Sequence, residues 1–87
     1  MALDILVVDD EPDICELVAG VLGDEGYSVR TAQTAERALE EVRTRTPRLV
    51  VLDVWLQGSQ MDGLSLLKYL KSIDPFLPVI VISGHGN

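Results

Sequence analysis

Asp9, Asp10 and Glu11 follow the apolar run Leu3-Asp4-Ile5-Leu6-Val7-Val8, and Asp53 follows the run Leu49-Val50-Val51-Leu52. Ser83 closes a third run, Val79-Ile80-Val81-Ile82. A continuous Val/Leu/Ile run reads as a strand buried on both faces of a parallel sheet. A polar residue at its end sits at the rim, where open α/β sheets place their ligand chemistry. Carboxylates from adjacent strand ends repel one another in a site of reduced dielectric. They stay ionised together when a divalent cation neutralises them. Oxygen donors without His or Cys favour a hard ion, Mg²⁺ or Mn²⁺. Such an ion presents its open positions to a phosphoryl group, and a carboxylate beside it is placed to attack phosphorus and become an acyl phosphate. Asp53 is the candidate nucleophile, Asp9 and Asp10 the candidate metal ligands, and Ser83 a hydrogen-bond donor to the phosphoryl group. Taken alone, Asp53 also fits a strand-terminating acid that caps the next turn. The rest of the chain bears on that choice.

The elements that position these residues alternate. Pro12 suits the first turn of a helix, and Ile14, Leu17, Val18, Val21 and Leu22 recur at helical spacing as one apolar stripe with Cys15 at its edge. Gly26 is placed to end that helix in a left-handed cap. Tyr27 to Thr31 is a short, less apolar strand, expected at a sheet edge. Thr34 is a candidate N-cap for a second helix with a thin stripe of Ala35, Ala38, Leu39 and Val42. Its other face, Glu36, Arg37, Glu40, Glu41, Arg43 and Arg45, reads as solvated surface. A third helix starts at Asp62 or Gly63, carries Leu64, Leu67 and Leu70 with Leu66 and Ile73 beside them, and stops before Pro75. Val79 to Ser83 reads as a fully buried strand. The order βαβαβαβ implies a parallel sheet with helices on both faces, joined by right-handed crossovers.

Composition narrows the function classes. The 87 residues allow one domain, and 47% hydrophobic residues place it among globular chains. A net charge of −7 argues against direct nucleic-acid binding, which needs Lys and Arg against phosphates. One cysteine excludes an internal disulfide and fits a reducing, cytoplasmic setting. The N-terminus lacks the layout of a signal peptide, and no apolar run approaches membrane-spanning length.

Val7-Val8-Asp9-Asp10-Glu11, Leu52-Asp53, Met61-Asp62-Gly63-Leu64 and Ile82-Ser83-Gly84, in that order and spacing, resemble the receiver domain of two-component response regulators. The loop Trp55 to Gly63 and the stretch Ser83 to Asn87 are similar, more narrowly, to NtrX-type nitrogen-regulation regulators. The resemblance covers the whole chain. It implies a flavodoxin-like (CheY-like) doubly wound sheet of order 2-1-3-4. It implies that Asp53 is the phosphoacceptor for a sensor histidine kinase, that Asp10 binds Mg²⁺ directly and Asp9 through water, and that the backbone carbonyl of Trp55 is a further ligand. Ser83 would be the switch hydroxyl and Gly84 the small residue beside it. The domain so implied controls a downstream transcriptional output and is not an enzyme beyond its own phosphorylation and dephosphorylation.

Two departures from the family stand out. The loop after Asp53 is longer than in many receivers and has no Pro. Receivers continue with a fourth helix, a fifth strand bearing an essential lysine, and a fifth helix, so residues 1–87 read as a receiver incomplete at its C-terminus. Lys68 and Lys71 fall on the third helix, outside the site. Without a fifth strand, Val79 to Ser83 becomes an edge protected only by Pro78, and a homodimer through that edge or by segment exchange is expected. Glu11 fits either a charge partner of the helix N-terminus or a group outside the metal ligands. Trp55 reads as a loop cover, His85 as a surface residue and Tyr69 as exposed. Three alternative enzymes or binders fit less well. A haloacid-dehalogenase-type phosphatase needs a second acid two residues after the nucleophile, where Trp55 stands. A dinucleotide binder needs a glycine-rich turn where Asp9-Asp10-Glu11-Pro12 stands, and a flavin binder needs a hydroxyl-rich phosphate loop there. A folded receiver fragment serving only as an interaction or dimerisation module is the remaining alternative.

Overall fold

The computed structural model describes residues 3–56 and 61–82. In chain order the elements are β1 (Asp4–Val8), α1 (Pro12–Asp24), β2 (Ser28–Ala32), α2 (Ala35–Thr44), β3 (Leu49–Asp53), α3 (Gly63–Ile73) and β4 (Val79–Ile82). The four strands form one parallel sheet of order β2-β1-β3-β4. Register sets the rim: Val8 lies opposite Ala32 and Leu52, and Asp53 opposite Ile82.

Alternation along the strands divides the core into two layers. Leu6, Val8, Val50 and Leu52 pack with Ala35, Ala38 and Val42 of α2 and Leu66 and Leu70 of α3. Ile5 and Val7 face the other way, onto Cys15, Val18 and Leu22 of α1. The central strand β1 is buried on both faces from Ile5 to Val8.

The helix ends follow local chemistry. Pro12 opens α1. Gly26, at φ 96°, closes it, with Gly26 N–H donating to the Gly23 carbonyl and Tyr27 N–H to Leu22. That bond pair needs a left-handed residue, which glycine adopts without a Cβ penalty. The Thr34 hydroxyl accepts from Arg37 N–H at the start of α2, and the Asp62 carboxylate accepts from Ser65 N–H at the start of α3.

Four expectations are corrected. In α1 the buried side chain is Cys15, while Leu17 and Val21 are 63% and 55% exposed, because the face turned to the sheet is centred on Cys15, Val18 and Leu22. In α3 the buried face is Gly63, Leu66 and Leu70, which leaves Leu64 and Ile73 outside; a leucine-rich helix shows two candidate stripes and packing selects one. β4 is not fully buried: Ile80 and Val81 are exposed because the strand lies at the sheet edge. Glu41 is not simply solvated surface, since it joins an ion-pair network. Arg30 on β2 donates to both carboxylate oxygens of Asp4 on β1, to the carboxylate and carbonyl of Glu41, and to the Arg45 carbonyl, at 2.8–3.2 Å. Arg45 adds a 2.9 Å bond to Asp4.

Candidate functional site at the strand ends

β1 and β3 are neighbours, so their C-terminal ends bring Asp9, Asp10 and Asp53 together. Each of the three offers a carboxylate oxygen within 4.8 Å of those of the other two. Asp9 and Asp53 are 2% and 0% exposed, although both are acids at a strand terminus. Helix α1 begins at Pro12, directly beyond Asp10 and Glu11, and touches this corner through Cys15.

The backbone orients two of the carboxylates. Glu11 N–H donates to Asp9 Oδ1 at 2.9 Å, and Trp55 N–H donates to Asp53 Oδ1 at 3.0 Å. The Asp53 bond ties the acid to the loop that follows it. The Asp9 peptide is held from two sides: its N–H donates to the Ala32 carbonyl at 3.0 Å, and its carbonyl accepts from Cys15 Sγ at 3.3 Å. Glu11 stands at the N-cap of α1, but its side chain caps no backbone group. The Trp55 indole is 56% exposed, so its side chain covers little. Tyr69 is exposed as expected.

Electrostatics at the rim are one-sided. Burial pushes the Asp9 carboxyl above its ordinary range, the Glu11 N–H bond offsets part of this, and the neighbouring charges of Asp53, Asp10 and Glu11 push it further up. Among the described residues, the charges that act on Asp9 are those of three acids. Buried like charges at this spacing call for a cation. An all-oxygen donor set of carboxylates suits Mg²⁺ or Mn²⁺, so the residues present fit the ion the sequence implied.

The structure therefore brings together Asp9, Asp10 and Asp53, with Trp55 hydrogen-bonded to Asp53. Ser83, Gly84 and His85, and loop residues 57–60, lie outside the described residues. Lys68 and Lys71 lie on α3, and the Lys71 ammonium donates to the Pro75 and Leu77 carbonyls at the far end of that helix.

Two contacts at the site were not foreseen. Cys15 donates to Asp9, and no sequence signal marks it. Gly63 packs directly on the peptide that follows Asp53; a Cβ there would lie 2.6 Å from the Asp53 carbonyl oxygen and 2.5 Å from Val54 Cα. Its signal was available, since a glycine in a helix's first turn, directly after an N-cap Asp, often marks a packing constraint.

Comparison with known proteins gives a consistent result. The response regulator receiver domain family matches residues 5–87. The chain is similar to the nitrogen assimilation regulatory protein NtrX of Azorhizobium caulinodans, 62% identical over 87 residues, which is all of this chain and 19% of that protein. It is similar to the transcriptional regulatory protein ZraR of Escherichia coli K12, 36% identical over 85 residues, 98% of this chain and 19% of that one. Among solved structures, the receiver domain of NtrX from Brucella abortus matches with a TM-score of 0.92 at 62% identity, covering 97% of this chain and 70% of that one. The chain thus spans about a fifth of the length of these curated relatives.

Proposed function

This chain belongs to the response regulator receiver family, and from that premise we propose that Asp53 accepts a phosphoryl group from a sensor histidine kinase in a Mg²⁺-dependent reaction. The observation that carries the proposal is the burial of Asp53 at the rim, with one of its carboxylate oxygens within 4.8 Å of one from Asp9 and one from Asp10. In the transfer, an Asp53 carboxylate oxygen attacks phosphorus. The bond from phosphorus to the donor breaks, its electron pair leaves with the donor, and an acyl phosphate remains on Asp53. Trp55 N–H fixes the orientation of the attacking carboxylate. Asp10 and Asp53 would hold Mg²⁺ directly, Asp9 through water, and the Trp55 carbonyl would complete the protein ligands. Bound there, the ion offsets the acid cluster and the charge that develops on the phosphoryl oxygens. Ser83 is proposed as the switch hydroxyl that meets the phosphoryl group.

Residues 1–87 are read as belonging to one receiver (phosphoacceptor) domain that acts in the cytoplasm on a transcriptional output, with no direct nucleic-acid contact. No helix among the described residues is long and apolar enough to cross a membrane. The test is a Mg²⁺ titration followed by the fluorescence of Trp55, the one tryptophan of residues 1–87, paired with labelling by acetyl phosphate. A saturable change and Mg²⁺-dependent labelling at Asp53 are expected. Absence of both in the intact protein removes the reading.

Pairing of two copies through β4 is a second element of the proposal, supported by the exposed Ile80 and Val81 at the sheet edge. Light scattering on the 87-residue chain should give twice the 9.5 kDa mass. A stable monomer that unfolds cooperatively would remove this element and leave the phosphoacceptor reading intact. A chain acting solely as such an interaction module is the competing function, and it predicts association without labelling.

A further inference from the structure

We infer that Gly63 is a positioning residue of the phosphoacceptor site: the first turn of α3 is seated on the Asp53–Val54 peptide and sets the geometry of the acid and of the turn that follows it. The inference rests on the proposal that this rim binds Mg²⁺ and accepts phosphoryl.

Gly63 is the first residue of α3 and is buried, and a Cβ built on it would meet only backbone: Val54 Cα at 2.5 Å, the Asp53 carbonyl oxygen at 2.6 Å and the Val54 carbonyl carbon at 2.8 Å. Atoms this close cannot be accommodated by turning a side chain. Either α3 or the Asp53–Val54 peptide must move. The other anchors in this region make a compensating shift of α3 costly. Leu66 and Leu70, one and two turns along, are fully buried against the sheet, and the Asp62 carboxylate caps Ser65 N–H at 2.8 Å. The segment that would meet the Cβ is tied to the site itself. Val54 N–H donates to the Ile82 carbonyl at 3.2 Å, and Trp55 N–H to Asp53 Oδ1 at 3.0 Å. The atoms that the Cβ would push against belong to Asp53 and Val54, so the displacement reaches the segment Asp53 to Trp55, which supplies both the attacking carboxylate and the proposed carbonyl ligand. Metal sites and near-attack geometries lose much of their effect for displacements of about 1 Å.

Gly63→Ala in the intact protein tests this against a purely structural role. The control is Val42→Ala, a core truncation in α2, remote from the rim. Each is titrated with Mg²⁺ through Trp55 fluorescence and labelled with acetyl phosphate, at a temperature where thermal melts show both folded. Gly63→Ala should weaken Mg²⁺ binding by roughly tenfold or more and slow labelling in step, while the control stays within about twofold of the parent. A second pair covers the case in which Gly63→Ala does not fold. Asp62→Ala loosens the first turn of α3 without adding a clash, whereas Asp62→Asn removes the same charge and keeps a capping side chain. Weaker Mg²⁺ binding in Asp62→Ala than in Asp62→Asn supports the inference. If Gly63→Ala matches Val42→Ala, or Asp62→Ala matches Asp62→Asn when the first pair cannot be read, Gly63 is structural only and the inference is overturned, with the site reading intact. If the parent itself shows neither Mg²⁺ response nor labelling, the site reading fails and this inference fails with it.

Discussion

Asp53→Asn is expected to abolish labelling by acetyl phosphate and, in metal-free buffer, to raise the melting temperature. The first effect follows from the nucleophile: a carboxamide oxygen carries no negative charge and forms no stable acyl phosphate. The second follows from the surroundings. Asp53 and Asp9 are buried, and both lie with Asp10 inside a 4.8 Å cluster of carboxylate oxygens. Two unit charges at that separation repel by roughly 3 kcal/mol at an effective dielectric near 20. Asparagine keeps the shape and an acceptor oxygen for Trp55 N–H while removing one charge from the cluster. Its new amide N–H group needs a partner, which returns part of the gain. A net stabilisation of about 1–2 kcal/mol remains, or roughly 5–15 °C in a domain of this size. Saturating Mg²⁺ should narrow or reverse the difference, because a ligand that binds only the folded state stabilises the parent, with its full set of ligands, more than the variant. Thermal melts of the two proteins with EDTA and with Mg²⁺ measure this directly. Persistent labelling of the variant would remove Asp53 as the acceptor, and an unchanged melting temperature in EDTA would show that the acids do not strain the metal-free fold.

Arg30→Ala should produce the largest loss of stability from any single exposed-looking charge. The Arg30 side chain is only 17% exposed, and its partners Asp4 and Glu41 are 14% and 18% exposed. Arginine's planar fork engages Asp4 through both Nε and Nη2, while Nη1 joins Glu41 of α2. Removing it leaves two carboxylates largely shielded from water, with the more exposed Arg45 and Arg37 left to oppose them among the described residues. Breaking a buried pair from one side costs about 3–5 kcal/mol, and some solvent access here lowers the expectation to roughly 2–4 kcal/mol. For a chain of this length the total stability is on the order of 4–13 kcal/mol. Arg37→Ala is the internal contrast. Its pairs with Glu40 and Glu41 sit on the surface of α2 with Arg37 itself 58% exposed, so the loss should be about 0.5 kcal/mol or less.

The network also sets an acid limb. Burial alone pushes the Asp4 carboxyl up, but the bonds and charges of Arg30 and Arg45 outweigh it and hold the group below its ordinary value. A carboxyl depressed in the folded state contributes stability above its unfolded pKa of about 4, and that contribution is lost as pH falls through the folded value. The parent should therefore lose stability more steeply below about pH 4 than Arg30→Ala does. Urea melts across that range give the comparison, and parallel acid limbs would show that Asp4 gains nothing from Arg30.

Short-range patterns made most of this protein legible. Apolar runs ending in Asp9-Asp10 and in Asp53 located the central strands and the rim, because a strand buried on both faces must be apolar along its length and can turn polar only where it ends. Pro12, Gly26, Thr34 and Asp62 marked helix ends, because capping depends on one or two neighbouring residues. The strand order followed from the family resemblance, and the structure bears it out; the meeting of Asp9, Asp10 and Asp53 was readable from the polar ends of two apolar runs, and the structure brings the three acids together. What the sequence left undecided depends on partners distant along the chain. Which leucines of α3 face inward was settled by the sheet beneath them, and Cys15 displaced Leu17 from the buried face of α1 in the same way. The Arg30–Asp4–Glu41 network joins residues separated by 26 and 11 positions, and charges so far apart carry no mark of pairing until β1 and β2 lie side by side. Gly63 is the sharpest case. Its identity is plain in the sequence, but the reason for it, a helix start pressed against the peptide of Asp53, exists only once α3 has packed onto the end of β3.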